Sequence, residues 1–216
     1  TLGAEVIKVE EPDGDPGRCI GPFFNDKPDR ERSISWWASN AGKKSITLDI
    51  NKEQGRETFL ELARADDFVI ESFAPGYLAE LGLDYSALNK INPALVFTSI
   101  TLFGQTGPYS HYHASDLVLM ALGGAMSLTG DPGRPPLRFY MGQSYQIAGV
   151  HAAACSLIAN RYRRKSGLGQ HVDISIQECI TSMLPTVSAA WEFERQTHKR
   201  SGSRRLRHPI RCTWRC

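Results

Sequence analysis

The chain has 216 residues, 41% of them hydrophobic and 22% charged, a balance that buries a real core and excludes wholesale disorder. Its net charge of +2 hides an uneven distribution, and no apolar run approaches the ~20 residues of a membrane helix. No cationic stretch followed by an apolar one reads as a secretory signal, so a soluble cytoplasmic protein without nucleic-acid or membrane partners is expected.

In chain order, Leu2-Gly3 reads as the close of a helix, with glycine at the C-cap. An upstream helix and strand are therefore expected to belong to the natural protein. Short apolar runs bounded by turn residues predict strands at 6–9, 46–50, 68–72, 95–100 and 171–174. Asn51 and Gln54 make a capping-box start for a helix to about Ala65, with Phe59, Leu60, Leu62 and Ala63 as its buried stripe. Helical periodicity predicts further helices at 76–81, 85–90, 115–128, 145–165 and 175–194. Alternation of this kind argues for an α/β fold with a parallel sheet covered on both faces. The segment 11–34, rich in Gly, Pro and charge, reads as a long functional loop.

Charge is uneven along the chain. Residues 195–216 hold eight Lys or Arg and no acid, which leaves 17 basic against 23 acidic groups before them, a balance of −6. The basic segment reads as a solvated stretch, since no base-reading module accompanies it. The five cysteines, Cys19, Cys155, Cys179, Cys212 and Cys216, are odd in number and scattered, which suits reduced thiols. His208, Cys212 and Cys216 match no common zinc spacing, and no metal site is expected.

Nucleotide and hydrolase signatures fail. GKKS at 42–45 puts Lys44 where a P-loop needs Ser or Thr, and Trp37 where it needs glycine. Neither GxGxxG nor GxSxG occurs. HYHASD at 111–116 is the one cluster mixing imidazole with a carboxylate. It sets Asp116 in the first turn of the predicted 115–128 helix, where the helix dipole favours an acid.

The blocks LGAEVIKVE, GDPGR, NAGKKSITLDI, ADDFVIESFAPGYLAELGLDY, NPALVFTSITLFGQTGP, SDLVLMALGGAMSLTG, PPLR and RRKSGLGQHVDISIQE, in that order, resemble the family III CoA-transferases, the carnitine and formyl-CoA transferase family of CaiB/BaiF type. The resemblance implies a Rossmann-like large domain, represented by residues 1–181 without its first helix and strand. It implies that 182–216 is a helix end and basic segment leading to a small domain, and that two chains interlock as a dimer. It implies coenzyme A or acyl-CoA as substrate, a carboxylic acid as acceptor, and no metal.

The positions matching the family's CoA contacts are Leu48, Ser72, Phe73, Ala74, Glu80 and Leu81. Lys43 and Lys44 offer charge for phosphates. Glu80 and Glu11 stand where members carry a cation, with Arg18 the candidate replacement. The resemblance also implies an aspartate nucleophile that converts an acyl-CoA to a mixed anhydride and then to an enzyme-bound thioester. Tyr145 occupies that position, and no Asp or Glu occurs between Asp131 and Asp173. A phenol can form neither an anhydride nor a carrier thioester.

Three readings stay open. The chain is the silent subunit of a heteromeric transferase with a paralogous partner; or it is a racemase- or isomerase-like enzyme with Asp116 or His113 as base and Tyr145 as donor; or a carboxylate from further along the polypeptide enters the site. Related racemases pair a histidine with the first-turn aspartate, and Ser115 stands there here.

Overall fold

A computed structural model describes residues 3–140 and 142–202. The strands are β1 (Ile7–Glu10), β2 (Lys44–Thr47), β3 (Phe68–Glu71), β4 (Val96–Thr101) and β5 (His171–Ser175). The helices are α1 (Ile34–Asn40), α2 (Glu53–Ala65), α3 (Tyr77–Glu80), α4 (Tyr85–Ile91), α5 (Asp116–Leu122), α6 (Ala125–Leu128), α7 (Gln143–Ser166), α8 (Ile176–Ser182) and α9 (Pro185–Glu194). The fold is α/β, with parallel strands flanked by helices.

Among the described residues the strands form two parallel sheets, β1-β2 and β3-β4-β5, where one was expected. Both point the same way. Glu5, ahead of β1, adds to the burial and the Asp67 charge that raise the Asp66 carboxyl ahead of β3. At the other end, Tyr77 beyond β3 donates its hydroxyl to Asn51 Oδ1 beyond β2 at 2.9 Å. Every loop that follows a strand therefore opens toward one rim.

Alternation divides the core between the faces of the larger sheet. Phe97 faces one way, into a cluster with Ile50, Ala63, Leu78, Leu83, Leu88 and Leu95. Ile100, Val172 and Ile174 face the other, against Leu119, Ala148 and Ala152. The buried stripe of α7 is Ser144, Ala148, Ala152, Ser156 and Ala159. These small side chains let the helix lie close on β4, where Thr98 Oγ1 and Ser156 Oγ share a hydrogen bond of 2.7 Å. Away from that stripe α7 also carries apolar residues, and Val150, Leu157 and Ile158 are exposed there.

Two predicted helices are broken. The 115–128 helix parts at Gly123-Gly124: Gly124 takes φ +88°, and a Cβ on Gly123 would stand 2.5 Å from Ile180. The 175–194 helix parts where Pro185 opens α9, since proline cannot donate to the preceding turn. The segment 11–34 is less open than expected. It holds two 3-10 turns, Pro16–Cys19 and Phe24–Asp26, and leads into α1, which Ser33 caps through Trp36 N.

Candidate functional site

In parallel α/β sheets, ligands settle where the chain leaves the carboxyl ends of the strands. Two carboxylates shape that rim here. Glu71 closes β3 and accepts from Phe73 N at 2.7 Å, and Asp173 on β5 accepts from Gln105 N at 3.0 Å. They fix the loops after β3 and β4, and Gln105 Nε2 stands 3.5 Å from Glu71. Burial raises the Glu71 carboxyl above its ordinary range, with Asp173 adding to the effect. Beneath the β3 loop lies a cavity of about 280 Å³ whose walls include Glu71, Ala74, Tyr85, Ser99, Gln105 and His171. His171 stacks on Tyr85 at 5.3 Å, its Nε2 is 2.9 Å from Ser99 Oγ, and burial lowers its pKa. The ring also meets Phe97 edge-on at 5.4 Å, which makes it part of the packing of the cavity wall.

The outer side of the same loop gathers part of the expected carrier contacts. Ser72, Phe73 and Ala74 are exposed, and Leu81 is half-buried behind them. Leu48 N donates to Glu10 O at 2.8 Å, while its side chain packs on the core. The Tyr77–Asn51 bond joins the two chain segments, and Phe73 packs on Tyr77 with centroids 4.9 Å apart. Neither Asn51 nor Tyr77 was a predicted site residue. Asn51 is no helix cap: α2 begins at Glu53 after Lys52, without a side-chain cap.

The predicted cations lie elsewhere. Lys44 opens β2 and Leu48 follows its end, so at ~3.3 Å per residue the two stand roughly 13 Å apart, at opposite ends of the strand. Lys44 is ion-paired with Glu5. Lys43 donates to Asn40 Oδ1 at 3.0 Å, and desolvation, followed by the like charge of Lys8, lowers its pKa. Arg18 is no free phosphate ligand. It grips Glu10 through Nε at 2.7 Å and Nη2 at 3.0 Å, reaches Glu31 at 2.9 Å, and lies 4.5 Å from the Trp36 ring. The Arg18 hydrogen bonds, with help from Ser45 and Asp15 N and against the effect of burial, hold the Glu10 carboxyl at about 2. The lysine that follows Asn51 at the rim is Lys52, 3.1 Å from Asp49.

Asp116 does something its position in sequence did not announce. It sits at the start of α5, 7% exposed, yet its Oδ1 accepts from Ser144 N at 3.0 Å and Ser144 Oγ at 2.7 Å. It caps α7 rather than its own helix. Its other oxygen is buried without a hydrogen-bond partner. Tyr145, the next residue after Ser144, is 48% exposed in the first turn of α7, and His113 is exposed in the loop ahead of α5. The turn thus presents a phenol to solvent while the carboxylate behind it is engaged in structure.

The whole chain, residues 1–216, matches the family model described as CoA-transferase family III. The chain belongs to CoA-transferase family III. Among family III proteins it is 40% identical to succinyl-CoA:(R)-benzylsuccinate CoA-transferase subunit BbsE of Thauera aromatica, over 93% of this chain and 49% of that protein. It is 36% identical to acetyl-CoA:oxalate CoA-transferase of Acetobacter aceti, over 96% of this chain and 52% of that one. The crystal structure of a CAIB/BAIF family protein from Brucella suis superposes with a TM-score of 0.86 at 38% identity, covering 92% of this chain and 53% of that chain. The family III chain described here spans about half the length of these relatives.

Among the described residues no helix is long and apolar enough to cross a membrane. Nor do any three His, Cys, Asp or Glu side chains there group as a metal site. His208, Cys212 and Cys216 lie outside the described residues.

Proposed function

We propose that the full protein moves CoA from a thioester to a free carboxylic acid, and that this chain holds the carrier while a carboxylate from another polypeptide segment makes the attack. The observation that carries the second part is the first turn of α7. Tyr145 stands exposed there, and Asp116, the carboxylate brought to that turn, is buried and bonded to Ser144. A phenol cannot carry CoA as a thioester, and a carboxylate spent on two donors inside the protein is not presented to a substrate.

The relatives support the first part. Both curated relatives bear CoA-transferase names, and one is named as a subunit. A paralogous chain carrying the aspartate fits this pattern, in a dimer with the present one. In this reading Leu48, Asn51, Ser72, Phe73, Ala74, Tyr77 and Leu81 seat the carrier on the outer side of the β3 loop, and Lys52 is the cation toward its phosphates. The attacking carboxylate forms a bond to the thioester carbonyl and the C–S bond breaks, releasing CoA as thiolate. The thiolate then attacks the enzyme-side carbonyl of the anhydride and frees the first acid. The acceptor carboxylate next attacks the enzyme thioester and expels the thiolate, which attacks the acceptor-side carbonyl of the new anhydride, giving the product thioester and restoring the enzyme carboxylate.

The test is hydroxylamine capture on the full protein, with any subunit that co-purifies, after incubation with acyl-CoA. Mass spectrometry is expected to find the hydroxamate on a carboxylate outside residues 1–216. A hydroxamate at Asp116, or at any other carboxylate of this chain, would overturn the division of labour. CoA binding without transfer under any condition would reduce the protein to a carrier-binding scaffold.

A further inference from the structure

The loop from β4 to α5 carries three rings in mutual contact. Phe103 and Tyr109 are 6.2 Å apart between centroids, Phe103 and Tyr112 6.3 Å, and Tyr109 and Tyr112 5.2 Å, all tilted or edge-on. Aromatic clusters favour such geometry, but this one is only half in the core. Phe103 packs against the buried cluster that holds Leu119 and Ala148, whereas Tyr109 and Tyr112 are 56% and 57% exposed.

The backbone holds the tyrosines in place. Tyr112 N donates to Tyr109 O at 2.9 Å, and between them the buried Ser110 donates to Gly107 O through its amide at 3.3 Å and its hydroxyl at 3.0 Å. Two phenol rings are thus mounted on a braced turn, with one side on Phe103 and the other open to solvent. Position adds to the case. Tyr112 precedes Asp116, which is bonded to Ser144, by four residues, and Phe103 packs on the cluster to which α5 contributes Leu119 and α7 contributes Ala148, so the shelf lies on the side of the core where α7 begins. Rings at this spacing offer flat, polarisable area that loses little rotamer entropy on contact, which suits an apolar planar group.

We infer that Phe103, Tyr109 and Tyr112 form the shelf for the acyl group of the thioester, and that the protein prefers aryl-substituted acyl groups to small aliphatic ones. The inference rests on the proposed CoA-transferase function and names its substrate class.

Equilibrium binding of phenylacetyl-CoA, acetyl-CoA and free CoA to the full protein tests it. Phenylacetyl-CoA is expected to bind about tenfold more tightly than acetyl-CoA. Tyr109→Ala and Tyr112→Ala are each expected to reduce that preference about fivefold, in line with ring contacts of ~0.5–1.5 kcal/mol, without changing the affinity for free CoA. Tyr112→Phe is expected to keep it. Equal affinity for the two esters overturns the inference, as does an equal loss for all three ligands. So does a change in sedimentation without a change in preference, which would make the shelf a contact between polypeptides. Absence of any CoA binding removes the proposed function as well, whereas CoA binding without aryl preference removes this inference alone.

Discussion

Glu10 and Asp116 are both buried carboxylates, and their partners give them different consequences. Asp116 accepts two hydrogen bonds at the start of a 24-residue helix. Asp116→Ala leaves Ser144 N and its hydroxyl buried without an acceptor, and is expected to cost about 2–3 kcal/mol in chemical denaturation. Asp116→Asn, which keeps an acceptor oxygen, is expected to cost less than half of that.

Glu10 brings a pH dependence. Its carboxyl is depressed from 4.5 to about 2, chiefly by Arg18, so the latch is at full strength above the unfolded value and fades as pH falls from there through about 2. Arg18→Met strands the Glu10 carboxylate and is expected to cost about 3 kcal/mol at neutral pH. The deficit relative to wild type should shrink in denaturation curves recorded from pH 5 down to 2, and a deficit constant across that range would contradict the assignment.

At this scale the sequence told local geometry and not distant neighbours. The ESFAPG motif marks an exposed loop after a strand, which is where Ser72, Phe73 and Ala74 lie, because turn residues act locally. That Lys44 opens β2 while Leu48 follows its end was not legible in their adjacency. The Tyr77–Asn51 bond and the Asp116–Ser144 cap span 26 and 28 residues, and no local pattern reports such pairs.

At the scale of elements, short apolar runs located four strands within one residue and β2 (Lys44–Thr47) within three, because β propensity and turn residues act locally. The helix breaks were missed, since Gly123 is required by Ile180 across an interface rather than by its neighbours in sequence. Two glycines near β5 separate the two kinds of requirement. Gly167 ends α7 at φ +76° with open space around it, whereas a Cβ on Gly169 would stand 1.8 Å from Leu95 O. Gly167→Ala is expected to cost about 1 kcal/mol, the price of the left-handed conformation. Gly169→Ala, which must push β5 away from the chain entering β4, is expected to cost about 3 kcal/mol. Thermal melts of the pair check the order, and equal losses would show that the close approach is not real.

For the molecule as a whole, the strands among the described residues form two parallel sheets where one was expected, and α7 exposes apolar residues away from its buried stripe. The periodicity of α7 placed a helix there, but a helix with apolar residues on more than one side does not say which side meets the sheet and which meets something else. A stripe containing Val150, Leu157 and Ile158 is larger than a solvent face needs. Leu157→Glu with Ile158→Glu is therefore expected to destabilise the full protein by about 2 kcal/mol or more, while raising the soluble yield of the 216-residue chain expressed alone. No loss in the full protein would mean that the stripe faces water there too.

The register of β4 with β5 pairs Phe97 with His171, and this sets a clock on biosynthesis. Seventy-four residues separate the two, so a ribosome adding ~5–20 residues per second leaves the β4 edge waiting roughly 4 to 15 s for its neighbour. During that interval β4, already beside β3, holds one unpaired edge, and it is then that a holding chaperone matters most.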